Sequence, residues 1–242
     1  ENSNTCILTV SGNLGSLGVI KNVNNEITRI LNFSKPDLIG QNISRIIPKI
    51  IGDLHDGFMR NYFETSDPKV IGHERLVFPL DKDGYIVPCS LMIKVLPNLD
   101  EGIRLVGFLK DVDKDGTFAK GGDMETDEKV HHIMYSGDTG AIHGITHSCK
   151  REFGIPASLV NGASNDFTMD IIFPDLASHT LEDLKNPAGV VTTLDTSTLQ
   201  QNYLLGDSGS NESEYDEGEE EEEKEKRFKK TNVRVVLAED TD

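Results

Sequence analysis

Tryptophan is absent, and cysteine occurs only three times, at Cys6, Cys89 and Cys149. These thiols are widely spaced and odd in number, so they write neither a disulfide framework nor a paired zinc motif, and a reducing compartment suits them. Long apolar runs are missing too. None approaches a membrane span, and Glu1-Asn2-Ser3-Asn4 is neither an initiator nor a signal sequence, so the chain reads as a soluble piece of something longer that does not itself insert into a membrane. Bases are scarce, 24 against 41 acids, and the formal net charge of −17 repels phosphate backbones and anionic lipid heads. Nucleic acid is thereby set aside as a partner. No glycine-rich phosphate loop, nucleophile elbow, H-E-x-x-H or kinase catalytic segment occurs, so catalysis is not expected.

What is present suffices for two compact units in 242 residues. Residues 1–127 hold 18 acids and 14 bases, which leaves 23 and 10 for the remainder. Much of that excess sits in Asp207 to Glu225, a stretch almost free of apolar side chains that cannot repay the entropy of ordering. The expected organisation is a first domain over 1–113, an acidic Gly/Asp linker over 114–129, the first half of a second unit over 130–206, a disordered acidic insertion over 207–230, and a late strand over 231–242.

The period of the apolar residues changes along the first unit. Thr5 to Val10 reads as a strand, a Gly/Ser/Asn turn follows, and Gly18-Val19-Ile20 reads as its antiparallel partner. Asn24 or Asn25 then caps a helix with Ile27, Ile30 and Leu31 on one face, and Pro36 opens a short turn that ends before Gly40. From Ile43 to Thr65 apolar residues recur at three- and four-residue spacing. Arg75 to Leu80, Tyr85 to Leu96 and Ile103 to Asp111 read as three strands, with Asp81-Lys82-Asp83-Gly84 as a hairpin turn.

The chain also repeats itself at an offset of 122 residues, pairing Gly18 with Gly140, Ile20 with Ile142, Arg29 with Arg151 and Gly40 with Gly162. After a four-residue insertion, Ile46-Ile47-Pro48 meets Ile172-Phe173-Pro174. The later strands do not recur clearly; only Thr231 to Glu239 reads as a late strand of the second unit.

Two strands, short helices and a three-stranded meander is the order of a PAS domain. Residues 5–113 resemble that family at Leu38-Ile39-Gly40-Gln41-Asn42, Ile47-Pro48, Lys82-Asp83-Gly84 with Pro88, and Val106-Gly107-Phe108 with Asp111. His55-Asp56-Gly57, Asp67 to Gly72 and Arg75 are similar to the PAS sensors of rhizobial oxygen-sensing histidine kinases and to PAS modules of multi-pass membrane proteins of ciliates. The resemblance implies an α+β fold: a five-stranded antiparallel sheet in the order 2-1-5-4-3, with helices closing a small cavity on one face. Such domains sense ligands, bind partners, or both.

The cavity candidates are Ile27, Ile30, Leu31, Ile47, Phe58, Ile71, Val77, Met92 and Phe108, with Arg75 either reaching a polar ligand group or lying on the surface. In haem-binding relatives the axial histidine follows the Asp-Pro pair. Lys69 stands there, and a protonated lysine has no free lone pair for iron, so haem is not expected. In flavin photosensors of the family a reactive cysteine occupies the position of Ile43, so no covalent flavin adduct is expected. Cys89 is expected as a small buried hydrophobe, and His55 and His73 as exposed or capping residues.

Asp111, Asp113 and Asp115 open a D-x-D-x-D-G calcium pattern. Its twelfth position is Gly122 and its entering element is a strand, so a solvated acidic linker is preferred. His131, His132, His143 and His147 fall on strands and turns with no third or fourth zinc ligand in view. Ser213, with Asp216 three residues on, fits an acid-directed kinase, beside the plainer reading of a solvated loop. The overall expectation is a non-catalytic sensory fragment on the cytosolic side, a soluble part of a larger protein for which a multi-pass membrane parent is one expectation, that takes an unknown small ligand or a protein partner, a PAS–PAS dimer among them. The alternative is a docking or structural module of a large membrane or cytoskeletal assembly, with a filled core and no ligand.

Overall fold

The computed structural model describes residues 4–65, 71–98, 102–112, 130–161, 167–178, 190–195 and 230–235. Alternating apolar residues in Thr5–Ser11 form β1, which turns back through the short 3-10 segment Leu14–Ser16 into β2, Ile20–Val23. The second strand starts later than its apolar pattern predicts, because Gly18 sits at φ 78° and carries the turn. Glu26–Leu31 forms α1, closed by Asn32 in the left-handed region at φ 57° with its N–H on the Thr28 carbonyl. Lys35–Leu38 forms α2, opened by a capping box in which Asp37 accepts from the Ser34 N–H at 2.9 Å. A 3-10 turn over Ile43–Ile46 follows, capped by the Asn42 side chain, which accepts from the Ser44 N–H at 2.8 Å.

The long helix α3 spans Lys49–Thr65, and β3 (Glu74–Val77), β4 (Cys89–Asn98) and β5 (Gly102–Asp111) complete one sheet in the order β2-β1-β5-β4-β3. Two of these strands are shifted from expectation. Proline lacks an N–H to donate, so Pro79 and Pro88 bound the ladder, and between them Leu80 and Ile86 make only an isolated bridge. The Asp81–Gly84 turn is tied to the helices: the Lys82 N–H donates to the Leu31 carbonyl at 2.9 Å, and Lys82 Nζ meets Asp37 Oδ2 at 3.0 Å.

The chain divides into two compact units, Glu1–His132 with Gly144–His147, and Ile133–His143 with Ser148–Asp242. Its later elements are β6 (Ile133–Tyr135), β7 (Ile142–Ile145), α4 (His147–Phe153), α5 (Ala157–Val160), α6 (Met169–Ile172), a 3-10 turn over Pro174–Ser178, and the antiparallel pair β8 (Val190–Asp195) and β9 (Lys230–Val235). His147 opens a helix, where a strand or turn was expected.

Individual hydrogen bonds recur at the offset seen in the sequence. The Ile20 N–H donates to the Gln41 carbonyl at 2.8 Å, as Ile142 does to Phe167 at 2.9 Å. Ile43 donates to Gly18 at 2.7 Å, as Met169 does to Gly140 at 2.9 Å. Val19 bridges Asn42, and Ala141 bridges Thr168. β9 begins one residue before the expected late strand, and Val236 to Glu239 lie outside the described residues, as do the linker and the acidic stretch.

Candidate functional site

Strand register sorts the sheet into two faces. On the helix side, Cys6, Leu109, Leu91 and Arg75 form one row across β1, β5, β4 and β3. Val23, Leu8, Gly107 and Ile93 form the next, with Ile71 bridging to Ile93, and Val10, Leu105 and Val95 a third. Against these rows pack Ile27, Ile30 and Leu31 of α1, Leu38 of α2, Ile43 and Ile46, and Met59 of α3. Ile47, Ile71 and Val77 are half-buried against the same cluster. Gly107 lets two side chains close over the middle of the sheet: a Cβ there would lie 3.4 Å from both Leu8 Cγ and Leu91 Cδ1.

Three of the candidate lining residues do not face this interior. Phe58 is 58% exposed, because the face of α3 that turns inward carries Met59 one residue further on. Met92 and Phe108 pair with each other in the row Ile7–Phe108–Met92–Glu74, on the opposite face of the sheet. A slip of one residue in a period-2 strand reverses every side chain, and the glycine at position 107 hid the inward parity of β5. Leu8, Leu91 and Leu109 take those interior places. Arg75 has the inward parity but stands exposed on the edge strand β3. Lys69, Asp113 and Asp115 lie outside the described residues; Asp111 ends β5, and Ile43 is buried in its 3-10 turn.

His55 differs from its expected exposed or capping role. It is half-buried on α3, and its Nδ1 is buried without a hydrogen-bond partner. Burial pushes its pKa below the usual 6.5, against a weaker opposing pull from Asp56. His73 is exposed. The Cys6 thiol is pushed up to about 12, by burial first and then by Glu26, so it holds its proton at neutral pH. Cys89 and Cys149 are likewise buried and form no disulfide. Asp37 is held down at about 2 by its hydrogen bonds from Ser34 and by Lys82. Among the described residues no group of three or more His, Cys, Asp or Glu is placed to hold a metal ion. His143 Nε2 instead lies 2.7 Å from the Ser136 hydroxyl, and the His147 ring packs against Tyr85 with centroids 4.8 Å apart.

The His55 environment has a pH consequence. Its folded pKa lies below the unfolded value, so the unfolded chain binds the extra proton, and the stabilisation is complete above pH ~6.5 and declines as the pH falls below it. Urea titrations at successive pH values should show this decline in the native chain and a flatter profile in His55→Gln over the same window. An unchanged slope in the variant would show that His55 is already solvated.

No protein-family model matches the chain. Sensor protein FixL of Bradyrhizobium diazoefficiens is 30% identical over 95 residues, covering 39% of this chain and 19% of that protein. A probable serine/threonine-protein kinase of Dictyostelium discoideum is 30% identical over 76 residues, 31% of this chain and 5% of its own length. The chain therefore spans under a fifth of either curated relative. Solved structures similar to it include the PAS domain of an HTR-like protein from Haloarcula marismortui, at 17% identity and TM-score 0.35 over 46% of this chain and 84% of that one. A PAS domain from Desulfitobacterium hafniense aligns at 15% identity and TM-score 0.38 over 46% and 94%.

Proposed function

With the first unit carrying the PAS fold, we propose that it is a non-catalytic sensory module of a larger protein, in which a small apolar molecule settles between the inner sheet face and the helices. The observation that carries this reading is the weak hold on α3. Of its 17 residues only Met59 is buried, so this helix costs little to displace and is the natural element for a ligand to shift. The rows it covers are apolar apart from Arg75 at the open edge, which favours an apolar ligand with at most one acceptor group. The module works without haem, on the lysine at position 69, and without a covalent flavin, on the isoleucine at position 43. Residues 130–206 and 231–242 are read as a second, divergent PAS-like unit, supported by the recurring hydrogen bonds. Three buried cysteines, none of them in a disulfide, favour the cytosolic side. No helix among the described residues is long and apolar enough to cross a membrane.

A second reading rests on Leu8 and Leu91 meeting over Gly107, which puts the domain's own side chains where a ligand would lie. On that reading the core is filled and the module acts by docking other proteins. Native mass spectrometry with a UV–visible spectrum, on the full chain purified from a eukaryotic host, separates the two. A stoichiometric extra mass is expected for the sensor; a clean apo mass overturns it in favour of docking.

A further inference from the structure

We propose that α3 is a self-association surface, on which a second copy of this chain packs its own α3 in antiparallel register. Of the 17 residues in Lys49–Thr65 only Met59 is buried. Ile50, Ile51, Leu54 and Phe58 are all exposed, along the side that turns away from Met59. At about 3.6 residues per turn these four share one arc of the helix. Lys49, Asp53, Arg60 and Glu64, also exposed, share the arc beside it. An apolar stripe with a charged rim is the layout of a helix that packs on another helix. Nothing in this depends on what fills the interior between the sheet and the helices.

The order of the charges chooses the occupant. From the N-terminus the rim runs basic, acidic, basic, acidic. A copy turned about a two-fold axis between positions 56 and 57 sets Lys49 opposite the partner's Glu64 and Asp53 opposite the partner's Arg60, and symmetry repeats both pairs. A parallel copy would lay each rim beside the partner's Ile51 and Tyr62, where no opposite-sign pair forms. Within one chain the same charges are poorly placed. A helix favours acids in its first turn and bases in its last, and α3 has neither. Lys49 with Asp53, and Arg60 with Glu64, have the weaker cation-first order for four-residue spacing, and no ion pair joins any of the four among the described residues. An antiparallel copy corrects this by bringing the partner's Glu64 to the helix N-terminus and the partner's Lys49 to its C-terminus. Gly57 supplies room beside the axis. Glycine is a poor helix former, yet a Cβ there would meet nothing within 4 Å among the described residues, so packing inside the chain does not call for it. Residues 4–112 hold 12 acids and 12 bases, so the unit does not repel its copy by net charge.

Sedimentation velocity on the full chain, at protein concentrations from about 10 μM to 1 mM, is expected to show a reversible dimer. In the same range the Ile50 and Ile51 δ1-methyl resonances should move with concentration while that of buried Ile27 holds still. Lys49→Glu and Glu64→Lys should each weaken association at least about tenfold, and so should Leu54→Ala with Phe58→Ala. An equimolar mixture of the two charge variants should recover it, because each supplies the sign that the other lacks. The double variant Lys49→Glu, Glu64→Lys should recover it as well, although these positions lie too far apart to pair within one chain. A chain that stays monomeric throughout the range overturns the proposal. So does a dimer that none of these variants weakens, because its interface would lie elsewhere. Charge variants that weaken association and do not recover on mixing overturn the antiparallel register.

Discussion

Ile27→Ala is expected to lower the unfolding free energy of the first unit by about 2–5 kcal/mol, whereas Phe58→Ala should change it by no more than about 0.5 kcal/mol. Both positions belong to the apolar pattern of the helical segment, and their side chains differ in size in the direction that would favour a larger loss at Phe58. Burial reverses the order. Ile27 is fully buried, on a helix that packs against β1 within the buried cluster, so truncation leaves a void among neighbours that cannot collapse into it. Phe58 is 58% exposed and gives up little contact. Urea unfolding followed by far-UV circular dichroism, with amide exchange on β1 and β5 to assign the loss to this unit, makes the comparison. A cost at Phe58 matching that at Ile27 would mean that α3 turns a different face inward.

This contrast also shows which parts of the fold were legible in the sequence. Helices and strands announce themselves by period, so the order of elements in the first unit could be read from residue types, whereas the 2-1-5-4-3 order of its sheet was implied by the family resemblance alone. The side a strand residue faces is a finer matter. β5 alternates correctly only when Gly107 is counted as an inward position, and a residue without a side chain gives no signal of its own. Apolar periodicity therefore offers Phe108 as a lining residue, and Met92, its partner across β4 and β5, lies on the same outer face. On α3 the difficulty is of another kind: Ile50, Ile51, Leu54 and Phe58 are as apolar as any core stripe yet are all exposed, so the pattern marks a helix without saying which face is covered. His55 went unnoticed as a buried group because histidine suits an exposed helix position just as well. Its orphaned Nδ1 depends on neighbours that only the packing of α3 supplies.

Gly18→Ala is expected to destabilise the first unit by about 2–4 kcal/mol, and Gly140→Ala, at the matching position of the second, by about 1–2 kcal/mol. Both glycines have positive φ, 78° and 70°, so each alanine carries the left-handed penalty of an L side chain. Their surroundings differ. A Cβ on Gly18 would lie 2.7 Å from Asn42 Nδ2 and 3.0 Å from Asp56 Oδ1, while one on Gly140 would meet nothing nearer than the Met169 backbone nitrogen at 4.0 Å. Asn42 is not free to swing away, because its Oδ1 accepts from Ser44 and its Nδ2 reaches the Leu17 carbonyl and Asp56. Moving it gives up the cap of the 3-10 turn and the tie from that turn to α3, and this sets the extra cost at Gly18. Amide-exchange opening free energies read separately in each unit should show the difference. The mechanism makes a further demand, that Asn42→Ala and Gly18→Ala be non-additive, with the double variant losing less than the sum because the second alanine no longer has a side chain to displace. Strict additivity would place the whole penalty in the backbone of Gly18 and leave Asn42 no part in holding the turn against α3.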